Sequence, residues 1–183
     1  MTIAIRDATT ADAAAVARIH VTAWQHAYAG LIHRPVLDAL DVADRTAGWT
    51  RWLERSLAGE GTDGDVRHAM VVAERDGEVM GWATFGPARL PEREGWGELA
   101  GCYVDPRATR SGIGRAMVAE VEARLTAAGF ERAYLWVLEG NVPAEQAYSR
   151  YGWEPDGATL DDPDTDPTRV LVDHARVRIL AER

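Results

Sequence analysis

The sequence predicts one mixed α/β domain with about seven strands. Three observations predict it. At 183 residues the chain suits a single core. Apolar residues recur with period two in some segments and at spacings of three and four in others, in the order strand-helix-helix-strand-strand-strand-helix-strand-helix-strand-strand. One strong helix joins two apolar strands, which implies a parallel, right-handed crossover.

Each element has its own signal. Ile3 and Ile5 begin a short strand. Thr9 or Thr10 caps a helix running to Trp24–Tyr28, in which Val16, Ile19, His20, Ala23 and Ala27 recur at three and four. Gly30 is a stop. Pro35 suits a first helical turn, and Leu37, Leu40, Trp49, Trp52, Leu53 and Leu57 carry one or two further helices. The segment from Gly59 to Asp65 is a surface loop by its glycines and acids. His68 to Ala73 and Glu78 to Phe85 form a hairpin around Arg75-Asp76-Gly77. Glu98 to Val104 is a strand ended by Pro106. Ile113 to Ala128 is the clearest helix, striped by Ile113, Met117, Val121 and Leu125 and closed by Gly129. Ala133 to Leu138 is an apolar strand, and Pro143 to Tyr151 a short helix closed by Gly152. Trp153 to Asp156 is a short strand. The stretch from Ala158 to Thr168 is an exposed excursion, and Val170 to Leu180 the last strand.

Composition excludes several classes. All 20 basic residues are Arg against 29 acids, a net charge of -9. Without Lys there is neither a Walker-type phosphate loop nor Lys Schiff-base chemistry. A net-acidic surface argues against nucleic acid. One cysteine, Cys102, forms no internal disulfide. No apolar run reaches membrane-span length, about 18 residues. The first residues carry no basic-then-apolar leader pattern, so the expected setting is cytoplasmic. The acids from Asp161 to Asp166 lack a calcium-loop pattern and read as a solvated loop.

Two segments carry chemistry. In Tyr103-Val-Asp-Pro-Arg-Ala-Thr-Arg110-Ser111-Gly112-Ile113-Gly114-Arg115, a strand ends and two glycines open a helix. Glycine lets a ligand approach the backbone, and first-turn amides are free to bind an anion. The third glycine of a dinucleotide fingerprint is replaced by Met117. Arg107, Arg110 and Arg115 crowd the turn, where each suits either a phosphate or a surface carboxylate. In the second segment, Asn141-Val-Pro-Ala144-Glu-Gln-Ala-Tyr148, Asn141 is a helix cap. Ala144 and Tyr148 share a face, and Tyr148 is either a proton donor or half-buried packing.

Taken together, these segments resemble the acetyl-CoA-binding turn and the following signature of the GCN5-related N-acetyltransferase (GNAT) family, and the element order resembles that fold from about Ile3 to Leu180. The resemblance implies a mostly antiparallel central sheet of about seven strands with helices on both faces, in which the parallel strands four and five splay apart. It implies pantetheine along the backbone of Cys102, Tyr103 and Val104, and a pyrophosphate on the amides of Arg110, Ser111, Gly112, Ile113, Gly114 and Arg115. Asn141 would bond the cofactor arm, beside Ala144, and Tyr148 would protonate the CoA thiolate. Thr109 stands where the family often has Gln or Arg, and Trp153 where it often has Phe.

The implied reaction is direct transfer of acetyl from acetyl-CoA to a primary amine, small-molecule or peptide, with no metal. Glu98, at the start of strand four, is the candidate base through water. His20 falls on the apolar stripe and reads as a core histidine; His26 is a weaker base candidate. Cys102 has no placed His partner and reads as packing rather than as a nucleophile. Trp24, Tyr28 and His26 are acceptor-side candidates, from a Trp-x-x-x-Tyr-x-Gly-Leu pattern found in family members with varied acceptors. A homodimer is a common assembly of such folds. A weakly catalytic acyl-CoA sensor or structural module, an O-acyltransferase and a longer-chain acyltransferase stay open as alternatives.

Overall fold

The computed structural model describes residues 3–62 and 66–180, so residues 63–65 of the expected acidic loop lie outside the described residues. Strand β1 (Ile3–Asp7) leads through a 3₁₀ turn into α1 (Ala13–Ala27), α2 (Arg34–Asp38) and α3 (Val42–Ala58). The hairpin β2 (Ala69–Arg75) and β3 (Glu78–Pro87) follows, then β4 (Gly97–Val104), α4 (Ile113–Ala127), β5 (Arg132–Leu138), α5 (Val142–Arg150), β6 (Glu154–Asp162) and β7 (Leu171–Ile179). The sheet order is β1-β2-β3-β4-β5-β7-β6. Among the described strands of the sheet, β4 and β5 pair in parallel and the other neighbouring pairs are antiparallel.

Local chemistry explains the element ends. The Asp12 carboxylate accepts from the Thr9 amide at 2.8 Å at the entry to α1. The Asp41 carboxylate accepts from the Asp44 amide at 2.9 Å at the start of α3, and Gly59 leaves that helix at φ 80°. Asp76 and Gly77 both take positive φ, as a tight two-residue hairpin requires.

The sheet is covered on both faces. On one, α4 buries Ile113, Met117, Val121 and Leu125 against Val71, Phe85, Leu99 and Leu135. On the other, α1 and α3 bury Val16, Ile19 and Leu53 against Val72 and Trp82. A smaller cluster of Ile32, Leu37, Leu138 and Leu171 closes the end of β5 and β7 beneath the α1–α2 connection.

The tail corrects one expectation. β6 continues through Asp162 instead of ending near Asp156, at the sheet edge beside β7. Pro155, Gly157 and the acids disguise a strand whose exposed edge tolerates them, and the register slips between Pro155 and Thr159. The remaining loop is folded onto its own carboxylates: Asp162 accepts from the Asp164 and Thr165 amides, and Asp166 from the Thr168 amide.

The feature that positions the site is an interruption of the sheet. β4 and β5 pair only at Gly97–Ala133 and Glu98–Tyr134. On the other side of β4, Phe85 faces Leu99 and Thr84 faces Gly101, leaving Ala100 as an extra residue. Such a bulge bends and twists its strand, and beyond it β4 and β5 part.

Candidate active site

Where the strands part, a cleft of about 780 Å³ passes through the sheet. Leu135, Trp136, Val137 and Leu138 all line it, although alternate residues of a strand point to opposite faces. The cleft therefore opens on both sides: toward the start of α4 on one, and toward the end of α1 on the other.

At the α4 mouth, Arg110 has φ 60° and Gly112 φ 88°. A positive φ is uncommon and costly for a residue with a side chain, and such strain concentrates at functional turns. The first turn of α4 presents its amides without a side-chain cap. The Ser111 hydroxyl turns away, donating to the Ala108 carbonyl at 2.6 Å, and Thr109 donates to Pro106 at 3.2 Å. What this turn offers an anion is thus backbone N–H and helix dipole. A Cβ at Gly114 would meet only Val104 Cγ2 at 3.6 Å and the Tyr151 hydroxyl at 3.9 Å, both ordinary contacts. Protein packing does not require glycine there, and the residues present fit a phosphate-bearing ligand.

Of the three arginines at this turn, Arg110 lines the cleft. Arg107 does not serve it: its guanidinium binds the buried Asp105 at 2.9 Å and Glu78 at 2.7 Å. Hydrogen bonds from Arg107, with help from Arg18, hold the Asp105 carboxyl well below the usual range. Gly112, Gly114, Cys102, Tyr103, Val104, Asn141 and Ala144 line the cleft as well. Ser111, Ile113 and Arg115 are outside the lining; Ile113 is fully buried in the core beneath α4, and Arg115 is exposed.

The Asn141 carboxamide oxygen accepts from the Ala144 amide at 3.3 Å, capping α5. With the oxygen on the cap, the carboxamide N–H groups are the donors left to a ligand. One turn on, Tyr148 also lines the cleft. Desolvation, together with the neighbouring Cys102, raises its hydroxyl well above 10. Burial pushes the Cys102 thiol up to about 12, an interaction with Tyr148 opposing it. Both groups therefore keep their protons at neutral pH, which suits a donor at Tyr148 and leaves Cys102 a poor nucleophile.

At the opposite mouth, the Tyr28 and Tyr103 hydroxyls meet at 3.2 Å. His26 and Tyr28 line the cleft, whereas Trp24 stands behind them, its ring edge-on to Tyr28 at 5.1 Å. His20 is a core histidine: its Nδ1 accepts from the Trp49 indole at 3.2 Å, and its ring stacks on Tyr103 at 6.0 Å.

Glu98 lies away from the cleft. It is 1% exposed and lies at the paired end of β4, outside the cleft lining. Arg89 holds both carboxylate oxygens, with donors at 2.7 to 3.1 Å. Burial alone would raise the Glu98 pKa, but these bonds overcome it and keep the carboxyl ionised below its usual range. A carboxylate so engaged, on the closed side of the strand fork, is a structural anchor for the β3–β4 connection.

Sequence reasoning missed Trp136, Leu138, Arg150 and Tyr151, all in the lining. Tyr151 had a signal, since it follows Tyr148 by three on the same helical face. Among the described residues, no group of three or more His, Cys, Asp and Glu is gathered to hold a metal ion, and no helix is long and apolar enough to cross a membrane.

A seven-stranded sheet parted between β4 and β5, with a glycine turn and an Asn-capped helix at the fork, defines an acyl-CoA-type transferase architecture. The chain belongs to the GNAT acetyltransferase family: the family model described as Acetyltransferase (GNAT) family matches residues 35–153. The uncharacterized N-acetyltransferase YuaI of Bacillus subtilis (strain 168) is 33% identical over 119 residues, 64% of this chain and 61% of that protein. Among solved structures, the PaiA N-acetyltransferase of Thermoplasma acidophilum, in complex with coenzyme A, is similar with a TM-score of 0.76, 17% identity, and coverage of 98% of this chain and 99% of that one. The ribosomal-protein-alanine N-acetyltransferase of Brucella melitensis gives a TM-score of 0.71, 27% identity, and coverage of 96% and 99%.

Proposed function

We propose that this protein transfers acetyl from acetyl-CoA to a primary amine by direct attack. One observation carries the reading: the parting of β4 and β5 brings the Arg110–Gly114 turn and the Asn141–Tyr148 helix to one cleft that opens on both faces of the sheet. PaiA of Thermoplasma acidophilum holds coenzyme A and YncA of Salmonella typhimurium holds acetyl-CoA; their likeness to this chain is one of fold.

Acetyl-CoA supplies a reactive thioester and an anionic diphosphate handle. The amides of the first α4 turn bind the diphosphate, with Arg110 beside them. The Asn141 N–H groups bond the amide-bearing arm, and the edge of β4 from Cys102 to Val104, released from β5, pairs with it. The acceptor enters past Tyr28. Its nitrogen bonds to the thioester carbon, the C–S bond breaks, and Tyr148 gives its proton to the departing sulfur. An ammonium acceptor loses two protons in all. One replaces that of Tyr148 and one goes to water, so the products are an amide, CoA and one released proton.

The test is a CoA-release assay across a panel of amines, with product masses read out, beside calorimetry with acetyl-CoA. Tyr148→Phe lowers kcat about 100-fold or more while acetyl-CoA binding survives. An unchanged rate where chemistry limits removes Tyr148 from the mechanism. Acetyl-CoA binding without CoA release on any amine overturns the transferase reading in favour of an acyl-CoA sensor.

A further inference from the structure

The inward face of β7 carries Leu171, Asp173, Ala175 and Val177, one acid in an apolar stripe. Register places Asp173 beside Leu138 of β5, a residue of the cleft lining, and beside Leu160 of β6. It lies on the face covered by the end of α1, with Leu171 and Tyr28 in the same small cluster as Leu138. Asp173 is half-buried, yet among the described residues no hydrogen bond or ion pair reaches its carboxylate. Buried charges are ordinarily paired, because leaving water uncompensated is costly. Its charge is felt by the Tyr28 and Tyr103 hydroxyls, themselves bonded to each other at 3.2 Å in the cleft.

The charged neighbours leave it unpaired, His174 opposing the rise in its pKa only as the smallest cause. On β6, Asp162 adds a like charge, and burial together with Asp162 raises the Asp173 pKa. On its own strand, His174 turns to the other face, where its ring stands 3.6 Å from Glu139. Tyr28 on α1 and Tyr103 on β4 supply hydroxyls and ring faces rather than charge. Asp173 itself stands outside the cleft lining, next to Leu138 at the mouth opposite the phosphate turn, and an unpaired carboxylate behind two aromatic hydroxyls there suits an ammonium ion.

We propose that Asp173 receives the ammonium group of the acceptor, with the Tyr28–Tyr103 pair bonding beside it, so that selectivity for cationic amines resides on β7. The proposal rests on the transferase reading above and names a residue of that same site.

The experiment compares butylamine, cationic at pH 7, with methoxyamine, a nucleophile that is neutral there. Each is assayed kinetically with acetyl-CoA and titrated calorimetrically into CoA-loaded protein, where no turnover occurs. In Asp173→Asn the ratio of kcat/KM for butylamine over methoxyamine falls about 30-fold or more, the loss expected when one partner of a desolvated charge pair is removed. Butylamine binding to the CoA-loaded protein falls in parallel, and the affinity for CoA holds. Asp173→Ser repeats the result with a smaller side chain, and Asp173→Glu restores part of the ratio. Melting temperatures of the Asn and Ser variants do not fall, because no native bond to the carboxylate is lost. A wild-type enzyme that turns over while Asp173→Asn leaves the ratio unmoved overturns the assignment alone. A wild type that releases no CoA with either amine, and binds neither, overturns the transferase reading and the assignment with it.

Discussion

Gly114→Ala separates a glycine kept for a ligand from one kept for packing. Gly114 is the second residue of α4, outside the left-handed region, and an added Cβ would stand 3.6 Å from Val104 and 3.9 Å from Tyr151. Nothing in the fold resists the methyl group. Alanine in place of helical glycine stabilises by at most about 1 kcal/mol. For a chain of this size that is a Tm change between none and about +4 °C. The same methyl stands over the first-turn amides on the cleft side, where a phosphate must approach closely. CoA affinity falls about tenfold or more, equivalent to at least about 1.4 kcal/mol. Stability and affinity thus move in opposite directions. Gly81→Ala is the contrast: its Cβ would lie 2.8 Å from Met117 Cε and 3.1 Å from Ile113 Cγ2, so overpacking costs about 1–3 kcal/mol and lowers Tm. Calorimetric titration with CoA and a thermal melt on each variant decide the matter. A Gly114→Ala protein that binds CoA like wild type, or that melts lower, refutes the reasoning.

Two further predictions concern the buried polar groups. Glu98→Gln leaves Arg89 facing a neutral partner and costs about 2 kcal/mol, less than the roughly 3–5 kcal/mol of a fully buried broken pair because Arg89 is 38% exposed. Its melt falls several degrees while the pH dependence of kcat/KM keeps its shape; a lost acidic limb would restore Glu98 as the base. His20 gives the protein an acid-sensitive core. Burial, then Arg45, lowers its pKa from 6.5 to about 4. Between those values the unfolded chain binds the proton and the folded one does not. Stability is therefore full above 6.5 and falls as pH drops toward 4, by about 3 kcal/mol. Below that, Asp12, whose hydrogen bonds from Arg6 hold it at about 2, loses its contribution as pH falls from the ordinary carboxylate range. Melts of His20→Phe against wild type from pH 7 to 4 check this, and an equal slope in both would exclude His20 as the source.

What was legible in the sequence is what local chemistry dictates. Gly129, Gly152 and the Asp76-Gly77 turn mark ends that any fold would have to respect, and the stripe of Ile113, Met117, Val121 and Leu125 has one helical face to bury. Residues of the glycine turn and of the Asn141 helix reach one cleft because both follow strand ends at the same fork. What was illegible depends on partners distant in sequence. Glu98 reads as a candidate base until Arg89 folds over it, and Arg107 as a partner for either a phosphate or a carboxylate until Asp105 and Glu78 claim it. β6 was shortened because edge strands do not require the alternation that reveals interior ones. Asp173 did leave a trace, a single charge breaking the period-two stripe of Leu171, Ala175 and Val177, but the meaning of that break appears only when β7 lies beside Leu138.

The net charge of -9 conceals opposite fields at the two mouths of the cleft. On the α4 side, Arg110 and Arg150 line the opening beside first-turn amides carrying the positive end of the helix dipole. The neighbouring Arg107 and Arg18 are already paired with Asp105 and Glu78. On the α1 side stand Asp173 and, beside it on β6, Asp162. In the proposed reaction an anionic donor and a cationic acceptor would each be drawn to one mouth and repelled from the other. They meet only because the sheet between them is open. Had the ladder continued past Glu98–Tyr134, the two fields would lie on opposite sides of a closed sheet, and neither group could reach the other. The extra residue at Ala100, which bends β4 away from β5, is therefore as much a part of the site as any side chain in it.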